Sequence, residues 1–242
     1  MALELTLLQW LAAAAVVAGG TIVQGSLGFG VALVGAPLLY LVDPVFVPAP
    51  MIVVGFVVAA LVAMRERAGI DAREVRRAVP GLALGIALAA VVLRVLPADA
   101  LGLLFGVLVL LAVTLSLGVS PPAPGRRLLF VAGGLSGFMG TATSIGGPPL
   151  ILALQAYSGT RLRGTASACF TTSAALSLAA LAWAGHMGPR EAVLGLLLLP
   201  PVALGFAVSH WTARALDRQW LRTAVLGVCA LAGVMAIVRA VV

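Results

Sequence analysis

The sequence contains no lysine, only eight acidic residues, two histidines and two cysteines, and just 10% of its 242 residues are charged. A soluble domain carries about a quarter charged residues, so this chain has too few polar groups to cover its own surface in water. That scarcity excludes a soluble enzyme, a nucleic-acid binder and a disordered chain. Cys169 and Cys229 lie inside apolar runs, with no C-x-x-C spacing and no neighbouring histidine. Neither a disulfide nor a metal site is expected, and both read as small core residues. His186 falls in a predicted loop and His210 at a span end, so an interfacial role is the simpler reading than proton coupling.

What is present is mostly apolar: 62% hydrophobic residues and a mean hydropathy of +1.16. The solvent is therefore largely lipid. The net charge of +7 comes from fifteen arginines placed between apolar runs, where positive charge marks the cytoplasmic side. The run 5–23 lacks the basic start of a secretory signal and is expected to be retained. Six stretches match the roughly 20 residues of a spanning helix: 45–64, 78–96, 100–119, 165–184, 192–211 and 223–238. Residues 128–157 do not. If helical they extend about 45 Å, short of the roughly 60 Å that two crossings need. Their middle holds Gly140, Gly146, Gly147, Pro148 and Pro149, which interrupt a helix. A broken or re-entrant hairpin, buried in protein, is the expectation.

The same punctuation occurs earlier. Gly25, Gly28, Gly35 and Pro37 match Gly137, Gly140, Gly147 and Pro149 at a constant offset of 112, each proline followed by two aliphatic residues. Four agreeing spacings, followed in each half by three comparable spans, point to a duplication. The fold expected is thus an all-α polytopic membrane protein of two repeats, residues 1–119 and 128–242, joined by a linker at 120–127. Gly35, Pro37, Gly147, Pro148 and Pro149 are the expected hairpin breaks. Arginine placement tests relative orientation. Segment 65–77 has five and its counterpart 185–191 one, whereas 97–99 has none and 212–222 three. The Asp43-Pro44 interruption likewise is acidic, whereas its counterpart holds Arg161 and Arg163. Under the positive-inside rule the repeats are inverted, the linker is cytoplasmic and both termini lie outside.

Broken helices meeting near the midplane present unpaired backbone N–H groups and a partial positive charge, which suits an anion. Candidate site residues from the first hairpin are Gln24, Gly25, Ser26, Gly28, Phe29 and Gly30; from the second, Gly137, Gly140, Thr141, Thr143 and Ser144. The competing reading is that such glycines only allow close helix crossing, as expected for Gly81-x-x-x-Gly85 and Gly102-x-x-x-Gly106. Thr171 and Thr172, with Ser167 and Ser173, form a second polar cluster that either lines the cavity or bonds its own helix backbone. Trp10, Trp183, Trp211 and Trp220 fall near span ends and read as interface anchors. No aspartate or glutamate lies within the six spans or the hairpins, and the only arginine there, Arg94, sits near a span end. Ion pumping usually needs such carboxylates. An anion leaving a negative-inside cell instead gains about 2.3 kcal/mol per charge per 100 mV without them.

The paired signatures, residues 25–30 followed by Pro37-Leu38-Leu39 and residues 137–149 followed by Leu150-Ile151, resemble those of the TauE/SafE sulfite exporter family. The resemblance covers nearly the whole chain in length, duplication and span order, with Thr141 and Thr143 standing where many relatives have a plainer glycine run. It implies a multi-pass protein of the bacterial inner membrane that exports sulfite, small organosulfonates or other small organic anions. The expected partners are a small anionic substrate and the lipid bilayer, with no nucleic acid and with a homodimer left open. No cofactor, metal or enzymatic activity is expected. The alternatives are a carrier of a metal cation or neutral solute and a non-transporting membrane assembly subunit. A cation site would need intramembrane carboxylates; an intramembrane enzyme would need histidine or aspartate beside its hydroxyls.

Overall fold

A computed structural model describes residues 5–27, 31–117, 125–212 and 218–241. Gly28, Phe29 and Gly30 lie outside these, as do residues 120–124 of the linker and the side chains of Ser26, His210, Trp211 and Trp220. The described residues are all-helical, with no strand: α1 (Leu7–Leu27), α2 (Val31–Val42), α3 (Ala49–Arg65), α4 (Ala72–Val95), α5 (Ala98–Leu117), α6 (Arg126–Thr143), α7 (Gly147–Leu154), α8 (Gly159–Ala184), α9 (Pro189–Leu197), α10 (Leu199–Thr212) and α11 (Arg218–Val241). Among them, five segments are long and apolar enough to cross a membrane: Leu7–Gln24, Ala72–Val95, Ala100–Leu117, Gly159–Ala184 and Pro189–Val208. Leu84, Leu88, Val91, Leu103 and Val107 are exposed along α4 and α5, a face that only lipid can cover without cost.

Local chemistry sets most boundaries. Asp71 caps α4 by accepting the amides of Arg73 and Glu74 at 3.1 and 3.4 Å. Gly185, with φ of +85°, ends α8. Its amide reaches the Ala182 carbonyl and that of His186 the Leu181 carbonyl, a turn that glycine alone adopts without strain.

Four expectations are corrected. The span 192–211 is not one helix: α9 stops at Leu197 and α10 starts at Leu199, because Pro200 and Pro201 cannot donate to the carbonyls four residues earlier and their rings clash there. The prolines instead sit in the first turn of α10. Gly35 and Pro37 do not break a helix, since α2 runs through both. The second interruption is confined to residues 144–146, so Gly147, Pro148 and Pro149 open α7. Prolines fit there because first-turn amides have no intrahelical acceptor. The stretch 45–64 is also shortened, with a one-turn 3-10 segment at Pro44–Phe46 before α3 begins.

Glycines decide the tightest crossing. α4 and α6 run side by side in the same direction: a Cβ on Gly81 would collide with the Phe130 carbonyl, one on Gly85 with the Gly134 carbonyl and one on Gly137 with the Leu82 carbonyl. Gly81 and Gly85 are therefore packing residues, as expected, and Gly137 joins them. α3 and α8 cross in opposite directions, with Gly164 of α8 against the Glu66 carbonyl at the end of α3. Gly106 of α5 packs on Gly233 of α11. One buried cluster, including Phe46, Met51, Met139, Ile145 and Cys229, binds both halves of the chain together.

Replacing Gly85 with leucine is expected to remove about 3 kcal/mol or more of stability, because backbone cannot move aside as a side chain can. Gly227, with open space at its Cβ position, should accept alanine within about 1 kcal/mol. Thermal unfolding of the purified protein in detergent compares them, and equal melting temperatures would contradict the close crossing.

Candidate functional site

The interruption after α6 is held by three side-chain hydroxyls. Ser144 adopts a left-handed conformation, φ +67°, which is strained for a residue with a Cβ. Its Oγ donates to the Pro48 carbonyl at 2.9 Å, tying the break to the turn before α3. Thr143 Oγ1 accepts the Ile145 amide at 3.2 Å, and Ser136 Oγ donates to the Gly146 carbonyl. At the start of α2, Gln24 Oε1 accepts the Val31 amide at 2.9 Å. These bonds satisfy backbone groups that a hydrocarbon interior cannot.

The starts of α2 and α7 face the same cavity, walled by α3 and α8. Its apolar lining includes Met51, Ile52 and Phe170; its polar lining is Gln24, Ser144, Ser173 and Ser177 together with Gly140, Gly146 and Gly147. None of its lining residues is charged.

Hydrogen-bond valence shows what this lining can offer. Because the Gln24 oxygen is committed to Val31, the group it presents is its NH2, a pure donor. The Ser144 hydroxyl proton is spent on Pro48. Thr141 donates to the Gly137 carbonyl and so accepts from Ser177 at 2.8 Å, which spends the Ser177 proton. Ser173 lines the cavity, where its hydroxyl can donate to a solute; the fully buried hydroxyl left without a partner among the described residues is that of Ser167 on the same helix. The Gly146 amide likewise meets no acceptor among the described residues. Pro148 and Pro149 contribute no N–H, so the α7 end offers glycine amides alone.

Of the residues expected from sequence, the cavity gathers Gln24, Gly140 and Ser144. Thr141 stands behind it, positioning Ser177, and Thr143 turns its hydroxyl to the Met139 carbonyl and the break. Thr171 and Thr172 bond the Ser167 and Ala168 carbonyls of their own helix and do not line the cavity. Gly25 lies in the last turn of α1. Ser177 and Phe170 are additions that sequence reading missed, although both fall on the face of α8 that carries Ser173, at helical spacing.

A second polar cluster, also unanticipated, closes one end of the α3–α8 crossing. Arg163 meets both oxygens of Glu66 at 3.1 and 3.3 Å, and Arg161 meets Asp71 at 2.6 Å. Tyr157 donates to Glu74 at 3.2 Å, and Arg77 pairs with Glu74 at 2.8 Å. The signal was available: Glu66, Asp71 and Glu74 share one segment with five arginines. At the opposite end Arg94 stacks over Trp183, and His186 Nε2 lies 3.0 Å from the Leu93 carbonyl.

A helical bundle with an apolar outer face and five segments long and apolar enough to cross a bilayer defines a multi-pass membrane protein. The chain belongs to the sulfite exporter TauE/SafE family, whose model matches residues 11–236. No curated protein and no solved structure matches it.

The ion-pair cluster predicts a pH dependence. Burial pushes the Glu66 pKa up from its ordinary 4.5, but the hydrogen bond and charge of Arg163 outweigh this and hold it below that value. The Arg161 hydrogen bond holds Asp71 below its ordinary 3.8. A depressed folded pKa contributes stability above the ordinary value and loses it as pH falls through the folded one. Glu66→Gln should therefore cost about 1–3 kcal/mol at neutral pH. The difference in melting temperature from wild type should be flat above about pH 5 and shrink below about pH 4. A difference unchanged on acidification would show that the pair contributes nothing.

Proposed function

We propose that the chain exports a small oxyanion, sulfite or an organosulfonate, by alternating access, with the solute held in the cavity between the starts of α2 and α7. The observation that carries this reading is the set of donors: the Gln24 NH2, the Ser173 hydroxyl and the glycine amides of α7 converge on a cavity lined by no charge. Donors without a countercharge favour an anion over a cation, which needs oxygen acceptors. They also bind it weakly enough to let it leave.

The alternating-access part draws on recurrence. The offset of 112 pairs α1 with α6, α2 with α7, α3 with α8, α4 with α9–α10 and α5 with α11. Contacts follow the same pairing: α4 lies on α6 as α10 lies on α1, α8 on α4 as α3 on α9, and α2 on α11 as α7 on α5. Together with the opposed directions of α3 and α8, this supports two inverted repeats in the bacterial inner membrane, rocking about the α3–α8 crossing. The Glu66–Arg163 and Asp71–Arg161 pairs then close the arginine-rich, cytoplasmic end, about 10 Å along the helices from the cavity, and must part to admit solute.

Reconstitution in liposomes under an imposed potential tests the assignment by comparing fluxes of sulfite, sulfoacetate and a cation control. Wild type should pass the anions and exclude the cation. Gln24→Glu keeps an oxygen for Val31 but places a negative charge in the cavity, and should abolish anion flux without preventing insertion. Ser173→Ala removes one donor to a charged solute and should weaken apparent affinity about 10- to 100-fold. Anion flux that survives Gln24→Glu unchanged would exclude this cavity as the site.

A further inference from the structure

Outside the solute cavity, a strongly charged concavity lies between the N-terminal turns of α4 and α6. It is lined by Arg73, Arg76, Arg77, Arg126 and Arg127 at one level and by Pro80, Phe130 and Val131 at the other. Positive charge beside an arginine-rich loop is expected from topology alone. The pairing pattern is not. Arg161, Arg163 and Arg77 are each matched to a carboxylate, whereas Arg73, Arg76, Arg126 and Arg127 are in no ion pair with a described residue. The nearby described carboxylates are already engaged, Glu74 by Arg77 and Tyr157 and Asp71 by Arg161.

Four unpaired guanidinium groups, Arg73, Arg76, Arg126 and Arg127, share the groove with the paired Arg77 and repel one another, an arrangement relieved by an anion rich in oxygen acceptors. The lower lining identifies the kind of anion. Phe130 and Val131 are 41% and 58% exposed, and below them α4 and α6 continue as the apolar exposed surface of Leu84, Leu88 and Leu135. A soluble anion has no use for that continuation; an acyl chain does. Two helices meeting in a basic cleft at the cytoplasmic headgroup level make a site for an anionic phospholipid.

We propose that the α4–α6 groove binds the phosphate headgroup of an anionic phospholipid of the cytoplasmic leaflet, with its acyl chains lying along the exposed face of α4 and α6. The site lies on the crossing that Gly81, Gly85 and Gly137 make so tight, and bridges the first half of the chain to the second. Lipid bound there fastens the two halves at the surface while the cavity works further in. The proposal rests on the chain lying in a bilayer with this end at a headgroup layer. It does not depend on which solute the cavity carries.

Thermal unfolding and native mass spectrometry of the detergent-purified protein test it, without any transport measurement. Cardiolipin and phosphatidylglycerol should each raise the melting temperature and remain bound in the gas phase, and phosphatidylcholine should do neither. Neutralising Arg73, Arg76, Arg126 and Arg127 together as glutamines should abolish both effects. The exposed single substitution Arg126→Gln, which risks little in folding, should raise the lipid concentration needed about five-fold. The wild-type response should also weaken as ionic strength rises. An equal response to phosphatidylcholine, full stabilisation by inorganic pyrophosphate in place of lipid, or an Arg126→Gln response identical to wild type would each overturn the proposal.

Discussion

Inside hydrocarbon, a peptide group released from its helix has no water to turn to, and every interruption must be satisfied by the protein itself. The break at 144–146 answers that demand with Ser136, Thr143 and Ser144, and the start of α2 answers it with Gln24. The same demand explains what the cavity contains. Hydroxyls consumed in holding the break are unavailable to a solute, so the donors left over are few: the NH2 of Gln24, the Ser173 hydroxyl and glycine amides. Scaffold and binding surface are built from one small stock of polar atoms, divided by hydrogen-bond valence.

Two kinds of contact hold the halves of the chain together. Along α4 and α6 the glycines bring backbone against backbone, a fit that transmits force and allows little sliding. At the end of the α3–α8 crossing the fit is made by guanidinium and carboxylate groups at the polar boundary. Such pairs exchange readily with water and can part at modest cost, whereas interlocked backbones cannot. The two contacts therefore differ in kind: one interlocks backbone, and the other pairs charges that water can replace.

The lack of charge around the cavity follows from the same setting. A fixed arginine at mid-membrane would be costly to bury and would hold an anion tightly. Neutral donors and helix-end amides supply partial charge already embedded in the fold, at no further cost in desolvation. Among the described residues, Arg161 and Arg163 meet carboxylates at one end of the bundle and Arg94 meets Trp183 at the other.

The sequence alone determined that the chain is helical and lies in lipid, because hydropathy is a sum over composition and needs no partner. It also located the second interruption to within a few residues, since Gly146, Gly147 and tandem prolines disrupt a helix in any context. The break between α9 and α10 was equally legible in Pro200-Pro201 and was passed over for the apolar run around it. Which glycines face solute and which face another helix was not legible: Gly137 and Gly140 are three residues apart, yet one meets the α4 backbone and the other the cavity. Nor were the duties of Thr141, Thr171 and Thr172, whose hydroxyls have a choice of acceptors that only packing resolves. Those assignments depend on which helix lies opposite, a matter of long-range packing that local sequence does not encode.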